Sequence, residues 1–207
     1  MVVNVGVQNF EKIRESEAFY IDKTDFIRQW WAAKDDTTLI TRPRRFGKTL
    51  NMSMLECFFS NKYEGRSDLF KGLSIWKDKK YREMQGTFPV IFLSFASVKT
   101  GNPNEIKTAV KQLITNAYEN FENIMRSDVF SDKDRVSFGE INRKMDDITA
   151  AMAINTLCIY LEKYYGKKAI IMLDEYDTPM QEAWLSESWN EAVAFFRSFF
   201  NATFKTN

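Results

Sequence analysis

Histidine is absent from this 207-residue chain, which excludes Ser-His and Cys-His nucleophilic centres and histidine-ligated metals. Cysteine is scarce. Cys57 and Cys158 are the two in the chain, far apart and set inside apolar helical patterns, so they read as buried free thiols of a reducing compartment. No apolar run approaches the ~20 residues of a membrane-spanning helix. The opening "MVVNVGVQNF" has neither the basic nor the apolar region of a signal peptide. A cytoplasmic protein with no membrane partner is the expectation. Charge of one sign is lacking too: 29 basic residues face 28 acidic ones, for a net charge of +1. There is then no general electrostatic footprint for nucleic acid or a lipid surface, and any basic site has to be local. No internal repeat and no low-complexity linker interrupts the chain.

What is present is apolar and aromatic. With 18 Phe, 8 Tyr and 5 Trp in a chain that is 44% hydrophobic, the composition is globular, and the length suits one domain with a small extension. We read residues 1–36 as an N-terminal helical extension packing on the core, and 37–207 as the main domain. In "DKTDFIRQWWAA" (22–33), Phe26, Ile27, Trp30 and Trp31 share a helical stripe, with Asp22 or Thr24 as the cap. "TTLIT" (37–41) is a β-branched run, read as a strand. From Lys48 onward, Leu50, Met54, Leu55, Phe58 and Phe59 recur at helical spacing.

The middle of the chain is less regular. Residues 60–86 are polar, and "KDKKYRE" reads as a solvated face. "FPVIFLSF" (88–95) suits a buried strand. "KTGNPN" breaks it before an amphipathic helix carried by Ile106, Val110, Leu113, Ile114, Ala117, Tyr118 and Phe121. Residues 126–147 read as an irregular excursion. A helix over about 148–164, stopped by Gly166, leads into "KKAIIMLDEYD" (167–177), the clearest buried strand. One aromatic helix with Trp184, Trp189, Val193, Phe196, Phe199 and Phe200 closes the sequence. Alternating strands and helices predict an α/β fold, a three-layer α/β/α P-loop arrangement with a mainly parallel sheet and ligands at the strand C-termini.

Two motifs carry chemistry. "RPRRFGKT" (42–49) ends as a phosphate-binding loop, G-x-x-x-x-G-K-[ST], but Arg42 stands where the first glycine belongs and Pro43 follows it. Such a loop points backbone N–H groups at phosphate from a helix N-terminus. Gly47 lets the backbone approach closely. Lys48 supplies a charge to the β and γ phosphates, and Thr49 a hydroxyl for Mg²⁺. Arg44, Arg45, Phe46, Gly47, Lys48, Thr49 and Leu50 form the candidate nucleotide-binding set, and Pro43 removes at most one donor at its edge. The competing structural reading is an exposed turn.

The second motif is "IIMLDEYD". Apolar residues followed by Asp174 and Glu175 match a Walker B strand, in which Asp174 holds Mg²⁺ and Glu175 activates water. Lys48 and Glu175 are the candidate catalytic residues, and Thr49 and Asp174 the candidate metal ligands. The bland alternative makes the two acids a strand-to-helix turn, with Asp177 as a second acid or a helix-start residue. Trp30, Trp31 and the Phe-rich last helix read as core or interface rather than base-stacking platforms.

With those residues in view, the chain resembles the bacterial AAA-ATPase-like family. The resemblance rests on "FEKIRESEAFYIDKTDFI", "RPRRFGKTLNMSMLECFF", "FPVIFLSF" and "MLDEYDTPM", which together span residues 10–180. It implies that Arg42 marks a variant loop rather than a damaged one. It also implies ATP and Mg²⁺ as ligands, with Lys48, Thr49, Asp174 and Glu175 in the roles above. Members of that family continue into a sensor strand, further helices and often a nuclease-like domain. The chain is therefore expected to be a truncated ATPase core, weakly active alone, with any nucleic-acid or protein partner engaged through the missing region. Two rivals remain at this level. One is an interaction module, nucleotide-dependent or inert, that docks partners on its aromatic helices. The other is a nucleic-acid contact made by Arg42, Arg44, Arg45 and Lys48.

Overall fold

The computed structural model describes residues 6–41, 46–186 and 188–204. The chain divides into two compact units, Met1–Val90 and Ile91–Asn207.

In the first unit, short helices pack around aromatic side chains. Helix α1 (Phe10–Glu15) starts where the Asn9 side chain accepts the Lys12 N–H. It packs on α3 (Lys48–Phe59), where the Phe10 N–H donates to Ser53 Oγ at 3.0 Å. Phe10 stacks on Phe70, and Trp31 of α2 (Asp25–Ala33) stacks on Phe59. The two tryptophans of α2 are half-buried against Phe59 and Phe88, so they serve as core, as their spacing predicts. Arg14 donates from Nε to the Leu69 carbonyl and from Nη2 to that of Lys71.

"KDKKYRE" (77–83) is largely exposed, as its charge predicts, with Tyr81 buried beneath it, while the wider stretch 60–86 carries core residues. Short 3-10 turns and α4 (Lys79–Met84) bury Leu69, Phe70, Leu73, Ile75 and Tyr81 between exposed lysines. Gly86 permits this closure. Its φ is +73°, and a Cβ there would lie 2.7 Å from Glu64 Cα.

The strand expected at 37–41 does not form. The segment makes no ladder among the described residues, and Leu39 is 63% exposed. A β-branched run becomes a strand only where a neighbouring backbone takes up its N–H and C=O groups, and none does so here. The side-chain bond from Trp30 Nε1 to Thr38 Oγ1, at 3.1 Å, holds this segment to α2 instead.

The second unit is an α/β structure with many helices and a small parallel sheet of two strands, β1 (Val90–Ser94) and β2 (Ile170–Asp174). Between them run α5 (Pro103–Glu119), α6 (Asp132–Gly139) and α7 (Asp147–Tyr165). Each begins at a sequence-legible cap. Asn102 accepts from the Asn104 N–H and Asp146 from the Thr149 N–H. Ser131 and Asp134 form a reciprocal capping box.

Residues 126–147 are accordingly not irregular. Phe130, Phe138 and Met145 are buried there, and Arg135 binds the carbonyls of Met125 and Ser127. The C-terminal region also departs from expectation. It forms two helices, α8 (Thr178–Leu185) and α9 (Trp189–Phe204). The break between them is fixed by the hydroxyls of Ser186 and Ser188, both donating to the Gly101 carbonyl.

Strand alternation divides the sheet's duties. Ile91, Leu93 and Phe95 lie in the apolar core with residues of α5, α7 and α9, and Ile171 and Leu173 pack against that core. The residues between them, including Ser94 and Asp174, therefore face the other way.

Candidate functional site

Gly47 is the turning point of the loop. It precedes α3 in a left-handed conformation, φ 74° and ψ 25°, a region that costs other residues about 1–2 kcal/mol. The chain can thus enter a helix whose first turn carries no acidic residue and no side-chain cap. Asn51 is the first residue whose N–H closes an intrahelical bond, to the Gly47 carbonyl at 2.9 Å. The N–H groups of Lys48, Thr49 and Leu50 precede it and have no protein acceptor among the described residues. The Lys48 ammonium and the Thr49 hydroxyl likewise have no protein partner among those residues. Phe46 is 62% exposed. Arg44 and Arg45 of the candidate set, with Arg42 and Pro43, lie outside the described residues.

This arrangement presents positive dipole, free donors, one cation and one hydroxyl at a single helix end. Those are the groups that hold a phosphate oxyanion.

The acidic pair closes β2. Asp174 is 6% exposed. Its carbonyl accepts the Phe95 N–H at 2.9 Å, extending the parallel ladder one bond past the strand end. Its carboxylate takes no hydrogen bond or ion pair from any described residue. Yet its oxygens are not sealed in, because the one fully buried, unpartnered side-chain atom among the described residues is Thr203 Oγ1. A carboxylate set in a protein wall with its oxygens reaching solvent is open to a cationic ligand.

Glu175 follows in a left-handed conformation, φ 50°, which for a residue with a Cβ stores about 1–3 kcal/mol. Its side chain is exposed, and its carbonyl accepts the Thr178 N–H. The strained turn sends the chain from β2 into α8. Asp177 sits at the N-cap position of α8 without capping it, and its carboxylate instead accepts Gln181 Nε2 at 2.8 Å. It is a helix-start residue, the second of the roles open to it.

Within each unit, neighbouring candidates stay together: Phe46, Gly47, Lys48, Thr49 and Leu50 at the start of α3 in the first, Asp174 and Glu175 at the end of β2 in the second.

Ser94 was not singled out from the sequence. The bond from Phe95 N–H to the Asp174 carbonyl, with β1 ending at Ser94 and β2 at Asp174, pairs Ser94 with Asp174. The available signal was its being the one polar residue inside "FPVIFLSF". Along α8 and the start of α9, Met180, Trp184, Leu185 and Trp189 line a shallow groove of about 460 Å³. Trp184 and Leu185 are strongly exposed there.

Comparison with known proteins adds one family and one relative. The model of a family described as "Predicted AAA-ATPase" matches residues 4–207. An "Uncharacterized protein in vnfD 5'region" from Azotobacter chroococcum mcd 1 is 27% identical over 177 residues, covering 85% of this chain. The chain spans 29% of that relative's length. No solved structure matches.

Proposed function

Because the chain belongs to the predicted AAA-ATPase family, we propose that it binds ATP with Mg²⁺ through a variant P-loop and carries the acids for its hydrolysis. The observation that carries this reading is the open N-terminus of α3, entered through left-handed Gly47 and bearing Lys48 and Thr49 with no protein partners among the described residues.

The residues suit the ligands. Lys48 and the N–H groups that precede the first helical bond match phosphate oxygens in charge and donor character. Thr49 and Asp174 are oxygen ligands of the kind Mg²⁺ takes, and that ion uses one or two protein carboxylates and fills its remaining positions with water and phosphate. When bound, Mg²⁺ neutralises charge on the phosphates and polarises the bond that breaks.

In this reading Lys48 orients the terminal phosphates and balances charge that grows on them. Glu175, exposed at the strand end, accepts a proton from the attacking water. Its left-handed backbone directs the side chain away from the course the strand would otherwise give it. Gly47, Phe46 and Leu50, with Arg44 and Arg45, supply the backbone of the cradle. The three-layer α/β/α arrangement of P-loop proteins, with residues 1–36 packed on a core of 37–207, belongs to the same proposal.

The test separates binding from chemistry. Glu175→Gln retains nucleotide affinity and loses turnover by about two orders of magnitude or more, the usual contribution of a general base. Asp174→Asn weakens the magnesium complex. Unchanged turnover in Glu175→Gln would remove that residue from the mechanism.

The exposed groove of Trp184, Leu185 and Trp189 favours a second reading, a surface that docks a protein partner. It is compatible with nucleotide binding and independent of it.

A further inference from the structure

Ser94 and Asp174 are a directly paired couple on neighbouring parallel strands. Phe95 N–H donates to the Asp174 carbonyl at 2.9 Å, and β1 and β2 end at Ser94 and Asp174 respectively. In a pleated sheet, paired residues on adjacent strands project from the same face, with backbones about 4.8 Å apart. Their flanking residues Leu93 and Phe95 belong to the core on the opposite face, and Leu173 packs against it. The hydroxyl and the carboxylate therefore stand side by side on the face turned away from that core.

Neither group is spoken for. Among the described residues the Ser94 hydroxyl makes no hydrogen bond and the Asp174 carboxylate takes none. Neither is sealed from solvent. A half-buried hydroxyl and a largely buried carboxylate on one sheet face, neither held by a described protein group, can take a shared occupant from solvent. A hydroxyl can donate to a carboxylate oxygen while accepting from a water. The carboxylate can then turn its other oxygen outward.

We infer that Ser94 is a positioning residue for Asp174, its hydroxyl fixing the carboxylate and a water beside it so that the acid meets a hydrated divalent cation in one orientation. This rests on the reading of Asp174 as the magnesium-side acid and assigns it a supporting partner from β1. An alanine there would leave the carboxylate without that hydroxyl.

The experiment is calorimetric titration of the full chain with the β,γ-imido analogue of ATP, once with Mg²⁺ and once with EDTA. Wild type, Ser94→Ala, Ser94→Thr and Lys48→Ala are compared, with circular dichroism confirming folding. The magnesium-dependent gain in affinity is the quantity read. In Ser94→Ala it falls about tenfold or more, the usual cost of removing an outer partner of a metal ligand, while the metal-free affinity stays at the wild-type value. Ser94→Thr, which keeps the hydroxyl, restores most of the gain. Lys48→Ala lowers affinity under both conditions.

An Ser94→Ala protein that keeps the full gain overturns the inference, since a merely space-filling serine is replaced by alanine without loss. Equal loss with and without metal overturns it too. Wild-type binding that magnesium does not improve rejects the role of Asp174 and of Ser94 with it, but leaves the phosphate loop standing. No binding under either condition rejects the nucleotide reading as a whole.

Discussion

Thr24 Oγ1 accepts the backbone N–H of Ile75 at 3.1 Å, in a position where Thr24 is wholly buried. The same hydroxyl donates to Asp22 Oδ1, and the other oxygen of Asp22 accepts the Ser74 N–H at 2.7 Å. The "IDKT" stretch thus clasps the start of α2 to the 74–75 turn, and neither Asp22 nor Thr24 caps the helix by side chain. Thr24→Val keeps the shape, removes the acceptor and leaves a buried N–H unsatisfied. The expected loss is about 1–3 kcal/mol, read as a lower urea midpoint for the first unit. An unchanged midpoint would mean that the clasp contributes nothing.

Glu56, on α3, makes the first unit sensitive to pH. Burial pushes its carboxyl above the ordinary value of 4.5, nearby Glu11 adds to the rise, and Lys62 opposes it. The folded state therefore holds this proton more tightly than the unfolded chain does. Stability from this group is full below pH 4.5 and declines as pH rises from there through the folded value. Asp22 and Asp68 act in the opposite sense and at lower pH. Burial pushes the Asp22 carboxyl up, but the donors Thr24 and Ser74 outweigh it, and Arg66 holds Asp68 down. Their contributions are present above pH 3.8 and are lost as pH falls below it. Glu56→Gln should flatten the decline at higher pH, and denaturation midpoints at several pH values check it. A parallel decline in the variant would assign it to another group.

These particulars show what could be read in advance. The helix from Lys48, the helix near 148–164 and the strands near 88–95 and 167–177 were legible, because each pairs a clear hydrophobic period with a stop signal such as Gly166, which takes φ 65°. The run at 37–41 reads as a strand but forms none, because β-propensity describes a side chain, whereas a strand needs a partner backbone. Polarity alone makes residues 126–147 read as irregular, although Ser131 and Asp134 spell a capping box. The break near Ser186 depends on Gly101, which lies 85 residues away in sequence, and no local pattern carries it. At the candidate site, the motif residues were visible one by one. The pairing of Ser94 with Asp174 depends on strand register, which becomes visible only in the folded chain.

Both thiols should be inert in the native protein. Burial pushes Cys57 and Cys158 each to about 12, and both are free. Since the thiolate is the reactive form, a disulfide reagent at pH 8 should modify neither until the chain unfolds, and then both. Rapid modification of the folded protein would contradict their burial.

The proposed function stands or falls on α3 presenting a working phosphate loop despite Arg42. The most direct measurement is calorimetric titration of a magnesium-bound, non-hydrolysable ATP analogue into the purified chain and into Lys48→Ala. The expected result is binding by the wild-type chain and a loss of about tenfold or more in the folded variant, the scale of one charge-assisted contact. Equal affinity in both proteins, or no binding by a folded wild-type chain, would contradict it.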